Sequence, residues 1–76
     1  KTKIGRNNSN DIVIDNKTIS GFHAELEYLD NTYYIKDLNS KNSTLLDGKK
    51  INPQELYPIT DGTVLTFSDE DYRFQK

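Results

Sequence analysis

Hydrophobic and polar positions alternate with a period of two along almost the whole chain. No segment sustains the i, i+3, i+4, i+7 spacing of an amphipathic helix for more than a turn. The pattern predicts an all-β protein. Asp11–Ile14 reads as a short strand, preceded by the polar loop Asn7-Asn8-Ser9-Asn10 and followed by Asp15-Asn16-Lys17, whose residues suit turns. From Phe22 to Tyr28 the alternation directs Phe22, Ala24, Leu26 and Tyr28 to a core and His23, Glu25 and Glu27 to the opposite face. Asp30-Asn31 then turns the chain into a strand from Tyr33 to Leu38.

Thr44-Leu45-Leu46 and Lys49-Lys50-Ile51 flank Asp47-Gly48, the dipeptide expected at a two-residue type I′ hairpin. A loop with Pro53 and Pro58, neither able to donate to a sheet ladder, leads to a strand over Gly62–Phe67. Asp69-Glu70-Asp71 turns that strand back into Tyr72-Arg73-Phe74. Short strands at regular spacing indicate two sheets packed face to face, with Ile14, Phe22, Leu26, Ile35, Leu65, Phe67 and Phe74 among the inner positions.

A length of 76 residues allows one small domain, residues 1–76, with a thin core. Five Tyr and three Phe within 33% hydrophobic residues make a globular domain the expectation rather than disorder. The absence of cysteine removes disulfides and thiolate metal sites, and a reducing, cytoplasmic compartment is compatible with it. A net charge of −2 argues against a general nucleic-acid binder, which needs a basic excess to displace counterions. Any phosphate bound must be met locally. No apolar run is long enough to cross a bilayer, so this segment is expected to make no direct membrane contact, although a parent protein could be membrane-attached. Lys1-Thr2-Lys3-Ile4 reads like the end of a strand, hence the expectation of a domain excised from a longer polypeptide. The Lys-, Asn- and Ile-rich composition is compatible with a bacterial source of low GC content.

The candidate chemistry lies where the strand pattern breaks: Gly5-Arg6, Ser20-Gly21-Phe22-His23, Ser40-Lys41-Asn42-Ser43-Thr44 and Asp47-Gly48. An arginine, a serine and an asparagine gathered at one end of a sandwich would be equipped to hold a phosphate and its peptide. His23 invites a reading as general base or metal ligand, but no second histidine and no cysteine can complete such a site, so neither metal nor cofactor is expected. The chain also lacks a nucleophile–base pair that would mark an enzyme.

In order and spacing, Gly5-Arg6, Ser-x-x-His at 20 to 23, Asp37-Leu38-Asn39-Ser40-Lys41-Asn42-Ser43-Thr44 and Asp47-Gly48 resemble the forkhead-associated (FHA) domain over nearly the whole chain. The resemblance implies a β-sandwich of two mainly antiparallel sheets whose loops at one end bind phosphothreonine peptides. It implies that Arg6 and Ser20 hold the phosphate and that Asn42 pairs with the peptide backbone. Lys41 stands where the family often has a small hydroxyl residue, and is expected to add a cation near the phosphate or to reach along the peptide. Gly5, His23, Thr44 and Gly48 are expected to support the binding loops. The implied partner is a phosphothreonine-containing protein or a segment of the parent chain, such as a Ser/Thr kinase or its substrate, in signalling or complex assembly.

Four positions depart from the common family pattern. Asn39 and Ser43 replace frequent glycines, and if either needs positive φ, serine tolerates it less well than asparagine. Thr18 sits where some members carry a basic residue. Asp47 replaces a frequent asparagine without harm to the turn. Ser43 and the missing basic residue at 18 sustain an alternative, an FHA-type scaffold making phosphate-independent contacts with a partner or a neighbouring domain.

Overall fold

The computed structural model describes all residues, 1–76, and contains no helix. Nine strands follow in chain order: β1 (Thr2–Gly5), β2 (Ile12–Val13), β3 (Ala24–Leu29), β4 (Thr32–Asp37), β5 (Thr44–Leu46), β6 (Lys49–Lys50), β7 (Tyr57–Ile59), β8 (Val64–Phe67) and β9 (Glu70–Arg73). They form a five-stranded sheet, β2-β1-β3-β4-β7, facing a four-stranded sheet, β6-β5-β8-β9. All pairings are antiparallel except β1 with β2. Between the sheets Ile4, Ile14, Ala24, Ile35, Leu65 and Phe67 are buried, joined by Ile19, Ile51 and Ile59 from the loops and edges.

The hairpins follow from their turn residues. Asp47 (φ 48°) and Gly48 (φ 85°) both adopt the left-handed conformation that a type I′ turn requires, and Leu46 pairs with Lys49 across it. Asp30 and Asn31 do the same between Leu29 and Thr32. The last turn is shorter than the acidic run suggests: Phe67 pairs with Glu70, so the turn is Ser68-Asp69, and Glu70 and Asp71 belong to β9.

Three expectations about faces are corrected. Phe22 is 44% exposed and lies 6.0 Å from the Lys3 ammonium, whereas His23 is completely buried. The regular β1–β3 ladder ends at Ile4 opposite Ala24, and beyond it Arg6 bonds Ser20 instead of continuing the register. A period-two reading therefore cannot be extended back through residues 22 and 23. Tyr28, also expected inside, is mostly exposed at the strand's far end, its ring tilted 46° against that of Tyr33 with centroids 4.6 Å apart. Pro58 lies not in a loop but within β7, opposite Tyr34. That strand is an edge of its sheet, where a missing N–H removes no ladder bond.

Candidate functional site

Three loops meet at one end of the sandwich: residues 6–11 after β1, residues 14–23 between β2 and β3, and residues 38–43 between β4 and β5. Main-chain bonds join the first two. Arg6 N–H donates to the Ser20 carbonyl (3.0 Å) and Asn7 N–H to the Gly21 carbonyl (3.1 Å). The approach requires glycine at position 5, since a Cβ there would collide with the Gly21 carbonyl oxygen and lie 2.9 Å from Asn10 Nδ2. Asn10, only 7% exposed, adds a cross-strut by donating Nδ2–H to the carbonyls of Asn7 (2.8 Å) and Gly21 (2.6 Å). The asparagines also shape each loop locally. Asn7 Oδ1 accepts from Ser9 N–H, and Asn16 Oδ1 accepts from both the N–H and the hydroxyl of Thr18.

His23 ties this pair of loops to the third. Its Nδ1 accepts the Ser20 N–H (3.1 Å), so the ring proton sits on Nε2, which donates to the Ser43 carbonyl (2.9 Å). The ring also meets Phe67 edge to face, with centroids 5.5 Å apart. With both nitrogens committed and no exposure, His23 has neither a lone pair nor access to serve as a base.

The third loop needs two left-handed residues, Asn39 (φ 60°) and Ser43 (φ 71°). Serine at such an angle carries strain on the order of 1 kcal/mol, partly offset by the lower backbone entropy of its unfolded state relative to glycine. Ser43→Gly is therefore expected to stabilise the domain by about 0.5 kcal/mol, raising Tm by about 3 °C in a thermal melt. Thr44, fully buried, donates its hydroxyl to Asp37 Oδ1 (2.7 Å) at the loop's end. Lys41 N–H donates to Ser20 Oγ (2.9 Å), and Asn42 Nδ2–H donates to the Thr18 carbonyl (2.8 Å).

The structure thus brings Arg6, Ser20, Lys41 and Asn42 together, with Gly5, His23 and Thr44 beneath them. Gly48 is not part of the cluster: its turn is at the end of β5 opposite Ser43, where Asp47 accepts the Val64 N–H. The Arg6 guanidinium is exposed, makes one long bond to the Lys17 carbonyl (3.4 Å), and borders an open polar hollow with Asn7, Asn8, Ile19 and Gly21. Sequence reasoning missed Asn10 and Asp37 as supports. Both are polar residues within polar or strand-end segments, and only burial distinguishes them.

An acidic tie anchors the 14–23 loop from behind. Asn16 donates to Asp69 Oδ1 (3.2 Å) and to Glu70, and the Tyr72 hydroxyl donates to Glu70 Oε1 (2.7 Å). Hydrogen bonds from Asn16 and then Tyr72 hold the Glu70 carboxyl below its ordinary value of 4.5. A carboxyl depressed by folding contributes stability at neutral pH that is lost as pH falls from 4.5 through its lower folded value. The stability difference between the wild type and Glu70→Gln should therefore be constant near neutrality and shrink below that point in urea titrations.

A family model, FHA domain, matches residues 2–68. The chain belongs to the FHA family. This FHA domain is 32% identical over 74 residues to the transcriptional regulatory protein EmbR of Mycobacterium tuberculosis, a match covering 97% of this chain and 19% of EmbR. It is 35% identical over 66 residues to the probable E3 ubiquitin-protein ligase dma1 of Schizosaccharomyces pombe, covering 82% of this chain and 24% of that protein. The chain thus spans about a fifth to a quarter of the length of these relatives. Among solved structures, EmbR in complex with a low-affinity phosphopeptide superposes with a TM-score of 0.90 at 32% identity, covering 97% of this chain and 19% of that one. The FHA-2 domain of a Mycobacterium tuberculosis ABC transporter superposes with a TM-score of 0.84 at 34% identity, covering 97% of this chain and 66% of that one.

Proposed function

We propose that this FHA domain reads phosphothreonine in a partner protein or in its parent chain, with Arg6, Ser20 and Lys41 on the phosphate and Asn42 on the peptide backbone. One observation carries the assignment: Ser20 Oγ accepts the Lys41 N–H, which leaves the serine proton free to donate outward beside Arg6, whose own N–H is bonded to the Ser20 carbonyl. The guanidinium keeps most of its fork of donors available, and a planar fork suits a phosphate dianion better than a lone ammonium does. Asn42 spends one amide N–H on Thr18 and retains a second N–H and its carbonyl oxygen, the donor and acceptor an extended main chain needs. The domain acts by binding, with its one histidine buried, both nitrogens engaged, in support of the loops.

A phosphothreonine ligand implies a Ser/Thr kinase or its substrate as partner and an ATP-containing, cytoplasmic setting. The reading is tested by fluorescence-anisotropy titration against a degenerate phosphothreonine peptide library, with phosphoserine and unphosphorylated controls. Binding should require phosphothreonine and weaken with added salt. Equal binding of the unphosphorylated library would replace the reading with the phosphate-independent scaffold.

A further inference from the structure

Asp37 is a carboxylate buried to 2% exposure at the end of β4, and no cation pairs with it. Its partners all lie in the segment that follows. Oδ1 accepts the hydroxyls of Ser40 and Thr44, and Oδ2 accepts the Ser40 N–H (3.1 Å). On the other side its carbonyl accepts the Gln54 N–H (2.8 Å), which holds the residue to the chain beyond β6. Three donors from positions 40 and 44 therefore converge on one fixed group. Between those positions lie Lys41, whose N–H meets Ser20 Oγ, and Asn42, whose amide meets the Thr18 carbonyl.

We propose that Asp37 is a positioning residue for ligand binding: by clamping both ends of the Ser40–Thr44 turn it sets the Lys41 N–H on Ser20 and the Asn42 amide beside Thr18, so the Ser20 contact to the phosphate and the Asn42 contact to the peptide backbone are made as one unit. This rests on the function proposed above. A carboxylate suits the task because every group facing it is a donor, and it accepts on both oxygens. An asparagine would turn an NH2 group towards at least one of those donors. The clamp's side-chain bonds are additional to the sheet ladders, in which Asp37 pairs with Ala24 and Thr44 with Phe67 without them. Asp37 therefore acts on the site through Ser40 and Lys41, and Arg6, on another loop, is not reached by it.

The test is a set of double-mutant cycles on the whole chain, read by anisotropy with the best-binding phosphothreonine peptide at a temperature where circular dichroism shows each variant folded. Asp37→Asn should weaken binding about tenfold, the size of coupling expected between residues in one hydrogen-bond network. Ser20→Ala and Asn42→Ala should each cost much less in the Asp37→Asn background than in the wild type. Arg6→Ala should cost the same factor in both. A purely structural Asp37 would lower Tm while leaving those factors unchanged, and that result would overturn the proposal. Amide hydrogen exchange gives a readout that needs no ligand: Asp37→Asn should speed exchange of the Lys41 N–H while the Ser20 N–H, held by His23, stays protected. If the wild type binds no phosphopeptide, the functional reading fails, and unchanged Lys41 exchange would separately refute the positioning role. Should Asp37→Asn not fold, Ser40→Ala removes one arm of the clamp and is expected to show the same coupling at a smaller affinity loss.

Discussion

Arg6→Ala is expected to weaken phosphothreonine-peptide binding by about 100-fold or more while leaving the domain folded. A charge-assisted hydrogen bond contributes about 1.5 to 3 kcal/mol, and removing one partner of a desolvated charge pair costs about 2 to 5 kcal/mol. Each 1.4 kcal/mol is a factor of about ten, so the middle of that range exceeds 100-fold. The fold has little at stake, because the side chain is exposed and contributes a single 3.4 Å bond to the Lys17 carbonyl. The backbone N–H that joins the 6–11 loop to Ser20 survives the substitution. Titration of the variant beside a thermal melt checks both halves, with Tm expected within a few degrees of the wild type. Arg6→Lys should recover only part of the affinity, since an ammonium supplies charge without the planar fork.

His23→Ala carries the largest expected cost in stability. Truncation opens a cavity against Phe67, deprives the Ser20 N–H of its acceptor and leaves the Ser43 carbonyl without its ring donor. Large-to-small changes at buried rings and the loss of buried hydrogen-bond partners together suggest about 3 kcal/mol. A chain of this size has a total of roughly 4 to 11 kcal/mol, so the variant should melt about 15 °C lower. His23→Phe separates the two contributions: it fills the space but supplies neither acceptor nor donor, and should recover only part of the loss. In either variant the 14–23 and 38–43 loops lose their buried tie and keep only the Lys41–Ser20 and Asn42–Thr18 bonds, so phosphopeptide affinity should fall even at temperatures where the sheets persist.

The strands and turns of this domain were legible in the sequence because they obey local rules. Asp47-Gly48 and Asp30-Asn31 adopt the left-handed angles their residue types favour, and Ile35, Leu65 and Phe67 lie inside as alternation requires. Alternation failed at Phe22 and His23, where the ladder ends and the chain takes a new register to bring Ser20 beside Arg6. The same break that misled the face assignment builds the site. Pro58 was misplaced because its acceptability depends on whether the strand is at an edge, a property of the assembled sheet rather than of the residue. Arg6, Ser20 and Asn42 were singled out by their chemistry, their spacing and the family resemblance, and the loops bring them together. Asn10 and Asp37 were not, since a buried asparagine or aspartate is told from a solvated one only by the donors and acceptors that surround it.

Phosphothreonine recognition by these loops is tested by a 1H–15N NMR titration of the domain with N-acetyl-phosphothreonine methylamide and, separately, its dephosphorylated counterpart. This ligand presents one phosphate and the adjoining peptide groups without any flanking sequence. Phosphate-dependent shifts are expected at the amides of Arg6, Ser20, Lys41 and Asn42 and at the Asn42 side chain, and are expected to be absent in Arg6→Ala. Shifts that are indifferent to the phosphate, or that map to the outer sheet faces instead of the three loops, would contradict such recognition.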